Sequence, residues 1–368
     1  MERGKKTEIK ALEQMEHGHS KRYHKKRKPS IRSGCTRLNS RRGGKIQGKT
    51  HGKMEEVYMK VPQGFENKNE TRVCKLKKAI YGLKQASRNW YHKFTRTLAD
   101  IGYEQSKVDH SLFIYKKDGV FVAALIYVND VILMGNDKHQ IKKIKLHLHE
   151  EFSIKDLGTL RYFLGIEVTR TSKGLVLSQR KYTLDILEDS SLQGCRPSVF
   201  LMEPNLKLDK GEEEEKIDAN QNRRLVGHLL YSQATRPDIA YSVNVLSQFI
   251  ADPRHNHMEA VTRVLRYLKA TTVQGILLPK GSNINLEAYC DSDWLRCPFS
   301  IRSRTGYLLL FRGAPISWKS KKQSVVSRSY AEAEYRAMSL SVHELINGLA
   351  TAIDKIRSSP NSIDNEHW

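Results

Sequence analysis

Apolar residues recur along this chain in two patterns that predict different elements. From residue 73 to residue 98 they return every three or four positions, as in a helix that buries one side. Over 120–128 and 131–135 they form continuous runs, separated by Asn129 and Asp130. A short polar break between two apolar runs predicts a β-hairpin, because Asn tolerates the positive φ that tight hairpin turns require.

Further along the chain, the same periodicity predicts strands followed by a helix over 152–187, and two helices over about 237–251 and 257–270. From about 284 the pattern favours strands, and a long helix is predicted from about 328 to 355. The number of elements and the length of 368 residues both favour more than one domain. The side of the last helix that is predicted to be buried carries Tyr335, Met338, Val342 and Leu345.

The charge of the chain indicates the kind of partner that it binds. The formal net charge is +23 at pH 7, which indicates a polyanion such as RNA or DNA. The first fifty residues hold 16 Lys and Arg against 4 Asp and Glu, and they contain few large apolar side chains. We therefore expect a basic disordered tail over 1–50. Its block KRYHKKRKPS (21–30) fits a nuclear-import signal, a nucleic-acid-binding arm, a solvated tail or translated flanking sequence, and these alternatives stay open.

The cysteines indicate the compartment. All five lie far apart, at positions 35, 74, 195, 290 and 297, and no CxxC pair occurs. This spacing favours free thiols in a reducing environment, so an intracellular location, nuclear or cytoplasmic, is expected. The longest apolar run, 120–128, is too short to span a bilayer, and the basic start does not resemble a signal peptide. We expect no membrane partner.

Ten stretches of the sequence together resemble the Pol polyprotein of copia-type LTR retrotransposons. They lie between about residues 51 and 353, in the order and at the spacings of that family. Each stretch is weak evidence alone, but ten in register are specific. The stretches are EEVYMKVPQGF (55–65), LKKAIYGLKQASRNWY (76–91), YVNDVILMGN (127–136), DLGTLRYFLGIEV (156–168), MEPNLKL (202–208), LVGHLLYSQATRPDIAYSVNVLSQF (225–249), RVLRYLKAT (263–271), YCDSDW (289–294), RSRTGYLLLFRGAPISWKSKKQSVVSRSYAEAEYRAM (302–338) and HEL (343–345).

The resemblance implies a fold class and a domain order. We expect an α+β reverse transcriptase palm/thumb-like domain, followed by an incomplete α/β RNase H-like domain. Both chemistries of the family use paired Mg²⁺ ions, which prefer carboxylate oxygens. The expected order is a disordered tail (1–50), a palm-like reverse transcriptase region (51–206), an acidic linker (207–224), thumb- or connection-like helices (225–280), a partial RNase H-like domain (281–354) and a second disordered tail (355–368).

The polymerase carboxylates of the family are matched only in part. The family has an Asp shortly before a His-Gly pair, and two more in a YVDD hairpin. His51 and Gly52 match the pair, but Gly44 stands where the early Asp belongs. Asp130 matches the second hairpin Asp, and Asn129 replaces the first. The resemblance therefore implies a degenerate catalytic site with Asp130 as the remaining metal ligand, weak or lost Mg²⁺ binding, and no polymerase activity.

The RNase H-like carboxylates are also incomplete. Asp291, in YCDSDW, matches the first catalytic Asp, and Asp293 is a nearby alternative. Glu334, in AEAEYRAM, matches the helix carboxylate, whereas Glu332 is expected in solvent. The resemblance makes Asp291 and Glu334 catalytic residues and metal ligands. Its third carboxylate, in a DNQSA-like strand, has no counterpart in TAIDKIRSSPNSIDNEHW (351–368), so little or no nuclease activity is expected.

Lys84 and Arg88 are the expected nucleic-acid contacts, because they lie on the basic side of the helix predicted over 73–98. The leading hypothesis is a truncated, inactive copia-type Pol fragment that still binds RNA or DNA non-specifically. The alternative is a co-opted nucleic-acid-binding or interaction protein without catalysis. Binding measured at varied salt separates both from a protein with no affinity for nucleic acid.

Overall fold

The computed structural model describes residues 36–40, 58–60, 73–75, 86–107, 109–128, 130–202, 208–209, 214–281 and 285–346. The strands are β1 (Thr36–Ser40), β2 (Tyr58–Lys60), β3 (Val73–Lys75), β4 (Glu104–Gln105), β5 (Leu112–Lys117), β6 (Val120–Tyr127), β7 (Asp130–Gly135), β8 (Ile154–Thr159), β9 (Tyr162–Phe163), β10 (Ile166–Thr171), β11 (Gly174–Ser178), β12 (Gly275–Pro279), β13 (Leu286–Asp293), β14 (Arg304–Phe311) and β15 (Ala314–Lys322). The helices are α1 (Ala86–Asp100), α2 (Lys138–Phe152), α3 (Arg180–Asp189), α4 (Ala219–Ser232), α5 (Ala240–Leu246), α6 (His255–Ala270) and α7 (Tyr330–Glu344). Short 3₁₀ turns at Pro237–Ile239 and Ser247–Phe249 flank α5.

A six-stranded sheet forms the first layer, in the order β4-β5-β6-β7-β1-β8. Helices α1 and α2 cover one of its faces. Phe94 and Leu98 of α1 and Ile144 and Leu148 of α2 are fully buried against Val122, Leu133 and other strand residues. All paired strands described here run antiparallel, so helices packed on antiparallel sheets confirm the α+β class predicted for this part.

β1 lies inside the segment that was predicted to be disordered. Thr36–Ser40 pairs with β7 on one side and with β8 on the other. For these five residues the prediction of disorder over 1–50 is wrong, because strand pairing uses main-chain groups and needs no apolar run of its own. The other residues of that segment lie outside the described part of the chain.

The predicted helix over 73–98 is also corrected at its start. Val73–Lys75 is a strand that pairs with Tyr58–Lys60, and α1 begins at Ala86. Residues 76–85, which hold the early periodic apolar positions, lie outside the described part of the chain. Tertiary pairing overrides local periodicity in short segments.

A four-stranded sheet, in the order β12-β11-β10-β9, packs on the other face of the first sheet. Ile132 of β7 contacts this layer through Leu160 and Val168. β12 follows α6 in the chain yet pairs with β11, so residues predicted to belong to the thumb-like helices complete this sheet.

Helices α3 to α6 build a second core. The stripe predicted for the helix over 257–270 is confirmed, since Ala260, Val261, Val264, Leu265 and Leu268 are all buried. Asp218 caps α4 by accepting the N–H of Asn220, so this helix begins inside the stretch predicted to be an acidic linker over 207–224.

The 3₁₀ turn Pro237–Ile239, with Pro in its first position, opens the helical stretch predicted over about 237–251. The buried guanidinium of Arg236 donates to both carboxylate oxygens of Asp238, at 2.9 and 2.7 Å. It also donates to the Thr271 carbonyl at the end of α6, and the Tyr267 hydroxyl donates to Asp238. This network fixes the start of α5 against the end of α6.

A three-stranded sheet, β13-β14-β15, follows, with α7 on one face. The buried stripe of α7 is Ala333, Ala337 and Ser341. The predicted stripe is wrong, because Tyr335, Met338 and Val342 are 69%, 43% and 49% exposed. Small side chains let the helix axis approach the sheet closely, which an apolar count alone does not reveal.

Candidate functional site

β6 and β7 form the predicted hairpin, which carries the first candidate site. Tyr127 pairs with Asp130, so two residues, Val128 and residue 129, make the turn. Val128 has a φ of 51°, in a left-handed region that β-branched residues rarely adopt. Such strain persists where the flanking strands fix the backbone. Asn129 itself lies outside the described residues.

Asp130 lies on the face of the sheet that α1 and α2 leave uncovered. The next residue, Val131, and Leu133 are buried in the core beneath those helices. Side chains alternate along a strand, so Asp130 and Ile132 project from the opposite face. Tyr127 lies across from Asp130 on that face and is 53% exposed. Asp130 itself is half-buried, on the face that also packs against the four-stranded sheet through Ile132.

Three tyrosines connect the hairpin to the helical region. Burial raises the pKa of Tyr231 on α4, and the neighbouring phenols of Tyr162 and Tyr127 raise it further. The Tyr231 hydroxyl donates to the carbonyl of Leu164. Gly165 has a φ of 73°, and a Cβ there would lie 3.2 Å from the Tyr231 ring, so this position needs glycine for packing. Tyr162 and Tyr231 were not predicted to lie near the hairpin, because aromatic residues in strands and helices usually belong to the core.

The predicted nucleic-acid contacts are only partly placed. Arg88 is exposed in the first turn of α1, a helix that covers the sheet face opposite Asp130. Lys84 lies outside the described residues. Of the two, Arg88 therefore lies on the side of the sheet away from Asp130.

The second candidate site is a cleft of about 520 Å³ between β13–β15 and the start of α5. Asp291 and Asp293 of β13, Tyr241 of α5 and Trp318 of β15 line it. Three contacts hold its walls together. The Trp318 indole donates to the Gln233 carbonyl (3.1 Å), Lys322 donates to the Gln248 amide oxygen (3.0 Å), and Arg304 donates to Asn244.

Glu334 belongs to the opposite side of this sheet. Ser292 is buried under α7, where Gln323 donates to its hydroxyl (3.3 Å) and to the Ala333 carbonyl (2.9 Å). Alternation along β13 places Asp291 on the other face, towards the cleft. One oxygen of Glu334 is buried without a hydrogen-bond partner among the described residues.

Tyr330, at the start of α7, is the neighbour that Asp291 and Glu334 share. Its hydrogen bond to Glu334 and the negative charges of Glu334 and Asp291 raise the pKa of Tyr330. In the described part of the chain, no hydrogen bond or ion pair joins the two carboxylates. Both carboxylates therefore act on the same phenol, although Asp291 lines the cleft and Glu334 lies on α7.

Among the described residues, no group of three or more His, Cys, Asp or Glu side chains lies close enough to hold an ion. Asp130 is the one residue of the predicted polymerase site whose placement is described.

Comparison with known proteins places the chain in a family. The reverse transcriptase (RNA-dependent DNA polymerase) family model matches residues 49–204. A retrovirus-related Pol polyprotein from transposon RE1 of Arabidopsis thaliana is 42% identical over 79% of this chain. A second, from transposon TNT 1-94 of Nicotiana tabacum, is 38% identical over 80% of the chain.

A shorter relative matches almost throughout its length. An uncharacterized mitochondrial protein of Arabidopsis thaliana is 40% identical over 60% of this chain, and the match covers 92% of that protein. By contrast, the match spans 20% and 23% of the RE1 and TNT 1-94 polyproteins. In the described part of the structure, no helix is both long enough and apolar enough to cross a membrane. The motifs, the α+β fold and these identities agree, and the chain belongs to the copia-type retrotransposon Pol family as a reverse transcriptase-like fragment.

Proposed function

We propose that this chain is a catalytically inactive reverse transcriptase fragment that binds nucleic acid without sequence preference. The observation that carries the proposal is the hairpin, where Asp130 lies across from the exposed Tyr127 but its neighbour in the sequence is the amide Asn129. An amide keeps one oxygen ligand but loses the charge that Mg²⁺ prefers. Gly44 removes a second carboxylate from the family pattern.

The Mg²⁺ dependence of the family is general, and this copy is proposed to bind the ion weakly. If Asp130 held an ion, it would supply one anionic oxygen. The ion itself would neutralise developing phosphate charge. With one carboxylate, the charge and geometry for paired ions are lacking.

Template-primer extension tests the polymerase part. Purified protein is incubated with an RNA template, a DNA primer, labelled dNTPs, and Mg²⁺ or Mn²⁺. We expect the same background incorporation from the wild type and from Asp130→Asn, which controls for contaminating polymerase. Incorporation by the wild type that Asp130→Asn abolishes would refute the proposal.

The C-terminal sheet with α7 is proposed to be an incomplete RNase H-like module without nuclease activity. Asp291 and Glu334 match two carboxylates of the family, but the third, in a DNQSA-like strand, has no match in residues 351–368, which supports this reading. A gel assay on an RNA–DNA hybrid checks it, with Asp291→Asn as the matched variant. Cleavage that depends on Asp291 would contradict the proposal.

A further inference from the structure

Helix α2 has an uneven charge distribution. Its first twelve residues, KHQIKKIKLHLH (138–149), contain four lysines and three histidines and no Asp or Glu. Basic amphipathic helices of this kind fit a membrane surface, an apolar partner groove or a polyanion.

The apolar side of α2 is already used. Ile141, Ile144, Leu148 and Phe152 are buried in the core between the helices and the six-stranded sheet. A membrane or an apolar groove would need this same side, so neither fits a folded chain. The solvent-facing side that remains carries mainly Lys and His, together with the exposed Leu146 and Glu150.

Three lysines of this side are available to a ligand. Lys138, Lys142 and Lys143 are exposed, and within the described residues no carboxylate pairs with them. Lys145 differs, because its ammonium lies 3.1 Å from Asp156.

Two carboxylates near the ends of the helix, those of Asp137 and Glu151, bind groups other than these three lysines. Asp137 caps α2 by accepting the N–H groups of His139 and Gln140. Glu151 pairs with Lys93 of α1 at 3.2 Å. The positive charge of the three lysines is therefore not neutralised by these neighbours.

Spacing and position define the surface. Lys138 and Lys142 are one helical turn apart, which is about 6 Å along the axis. This is on the scale of phosphate spacing along a nucleic-acid strand. The surface lies on the helix side of the sheet, whereas Asp130 lies on the other side.

We propose that Lys138, Lys142 and Lys143 form a phosphate-binding surface for a nucleic-acid strand, separate from the face that carries Asp130. This inference rests on the proposed nucleic-acid binding and adds its location. Lys ammonium groups bind phosphate as point charges, so the surface selects for charge density and not for base sequence.

The test compares two triple variants of the full chain. Lys138→Gln/Lys142→Gln/Lys143→Gln removes the surface, and Gln preserves helix propensity. The control, Lys117→Gln/Lys173→Gln/Lys181→Gln, removes three exposed lysines elsewhere and changes net charge equally. Fluorescence anisotropy with a labelled mixed-sequence single-stranded DNA is recorded from 50 to 300 mM salt. Circular dichroism verifies that both variants fold.

Each lost phosphate contact lowers the slope of log K against log salt by about 0.7. We expect the surface variant to lose about 2 units of slope and roughly 100-fold in affinity at 0.1 M salt. The control variant should keep the wild-type slope of log K against log salt to within a few tenths. Equal losses in both variants, or none in the surface variant, would overturn the proposal.

Two further outcomes separate the proposals. Primer extension by the wild type would overturn the inactive-fragment proposal and leave this surface standing. If the wild type binds DNA and the surface variant keeps the wild-type dependence of log K on log salt, the proposed phosphate-binding surface is refuted, while the proposed nucleic-acid binding stands. Competition by polyglutamate as strong as by DNA would assign the surface to acidic protein and also overturn it.

Discussion

The indole N–H of Trp318 donates a hydrogen bond to the backbone carbonyl of Gln233, 3.1 Å away. This bond joins β15 of the C-terminal sheet to the end of α4, across residues that are far apart in the chain. It is one of the contacts that form the wall of the cleft beside Asp291.

Trp318→Phe should loosen this junction, because it removes the donor while keeping an aromatic ring. We expect a loss of about 1 kcal/mol in the free energy of unfolding and faster cleavage by protease near the junction. Urea denaturation and limited proteolysis measure these effects. Trp294→Phe is the control, since the Trp294 indole donates to Ser327 within the C-terminal part itself. If both variants open the junction equally, the assigned role of Trp318 is wrong.

His257 should make stability depend on pH. Its Nδ1 accepts the Arg254 N–H at 2.9 Å, and its Nε2 contacts the Asp209 carbonyl at 2.8 Å, so the ring is neutral with hydrogen on Nε2. Burial lowers the pKa of His257, although the Asp209 hydrogen bond opposes this. The unfolded chain then binds the proton better, so stability falls as pH drops below about 6.5.

His257→Gln tests this dependence. Gln at this third helical position preserves a capping box with the backbone of Arg254 but does not titrate. We expect the variant to keep most of its stability at pH 7.5 and to show a flatter melting temperature between pH 7 and pH 5. His255→Gln, on an exposed position of the same helix, should keep the wild-type pH profile. A wild-type profile in His257→Gln would contradict the assignment.

Asp238→Asn should be costly, because it leaves the buried guanidinium of Arg236 without its anion. We expect a loss of about 3–5 kcal/mol in the free energy of unfolding, measured by urea denaturation. Burial acts to raise the pKa of Asp238, but the hydrogen bonds and charge of Arg236 outweigh it and lower the pKa below 3.8. The stabilisation is therefore present above that value and is lost as pH falls further.

Glu259→Gln is the matched control for Asp238→Asn. Glu259 pairs with His255 on the surface of α6, where both side chains are mostly exposed. Its loss should cost under about 1 kcal/mol. Similar costs for the two variants would show that Arg236 does not depend on Asp238.

Ala337→Leu should destabilise the C-terminal part by about 1–3 kcal/mol, because Ala337 is fully buried between α7 and the sheet. Tyr335→Gln should change stability by less than about 0.5 kcal/mol, since Tyr335 is largely exposed. Thermal unfolding of both variants checks which side of α7 is buried. The reverse ranking would restore the stripe predicted from apolar periodicity.

Sequence patterns predicted the hairpin and the stripe of α6 because both elements bury continuous apolar sets in their own vicinity. They failed for α7, where close packing of Ala333 and Ala337 outweighs the larger residues that remain exposed. A helix pattern shows that an apolar side exists, but not which neighbour it meets. That depends on long-range contacts that no local window contains.

The candidate sites were predictable to different degrees. Motif matching located Asp130 at the hairpin, and its exposed face follows from alternation along β7. The same alternation turns Asp291 towards the cleft, which motif spacing alone did not indicate. The cleft beside Asp291 was not predicted, because it forms between strands and helices whose relative placement is set by Trp318, Lys322 and Arg304.

The placement of β1 between β7 and β8 has a practical consequence for anyone who produces this protein. A shortened version that begins at residue 51, designed to remove the basic stretch, would also remove that strand. The edges of β7 and β8 that pair with β1 would then be unpaired and exposed to solvent. Unpaired strand edges pair with strands of other molecules and cause aggregation. Inclusion bodies from such a shortened version would reflect the missing strand, and a start upstream of Thr36 avoids them.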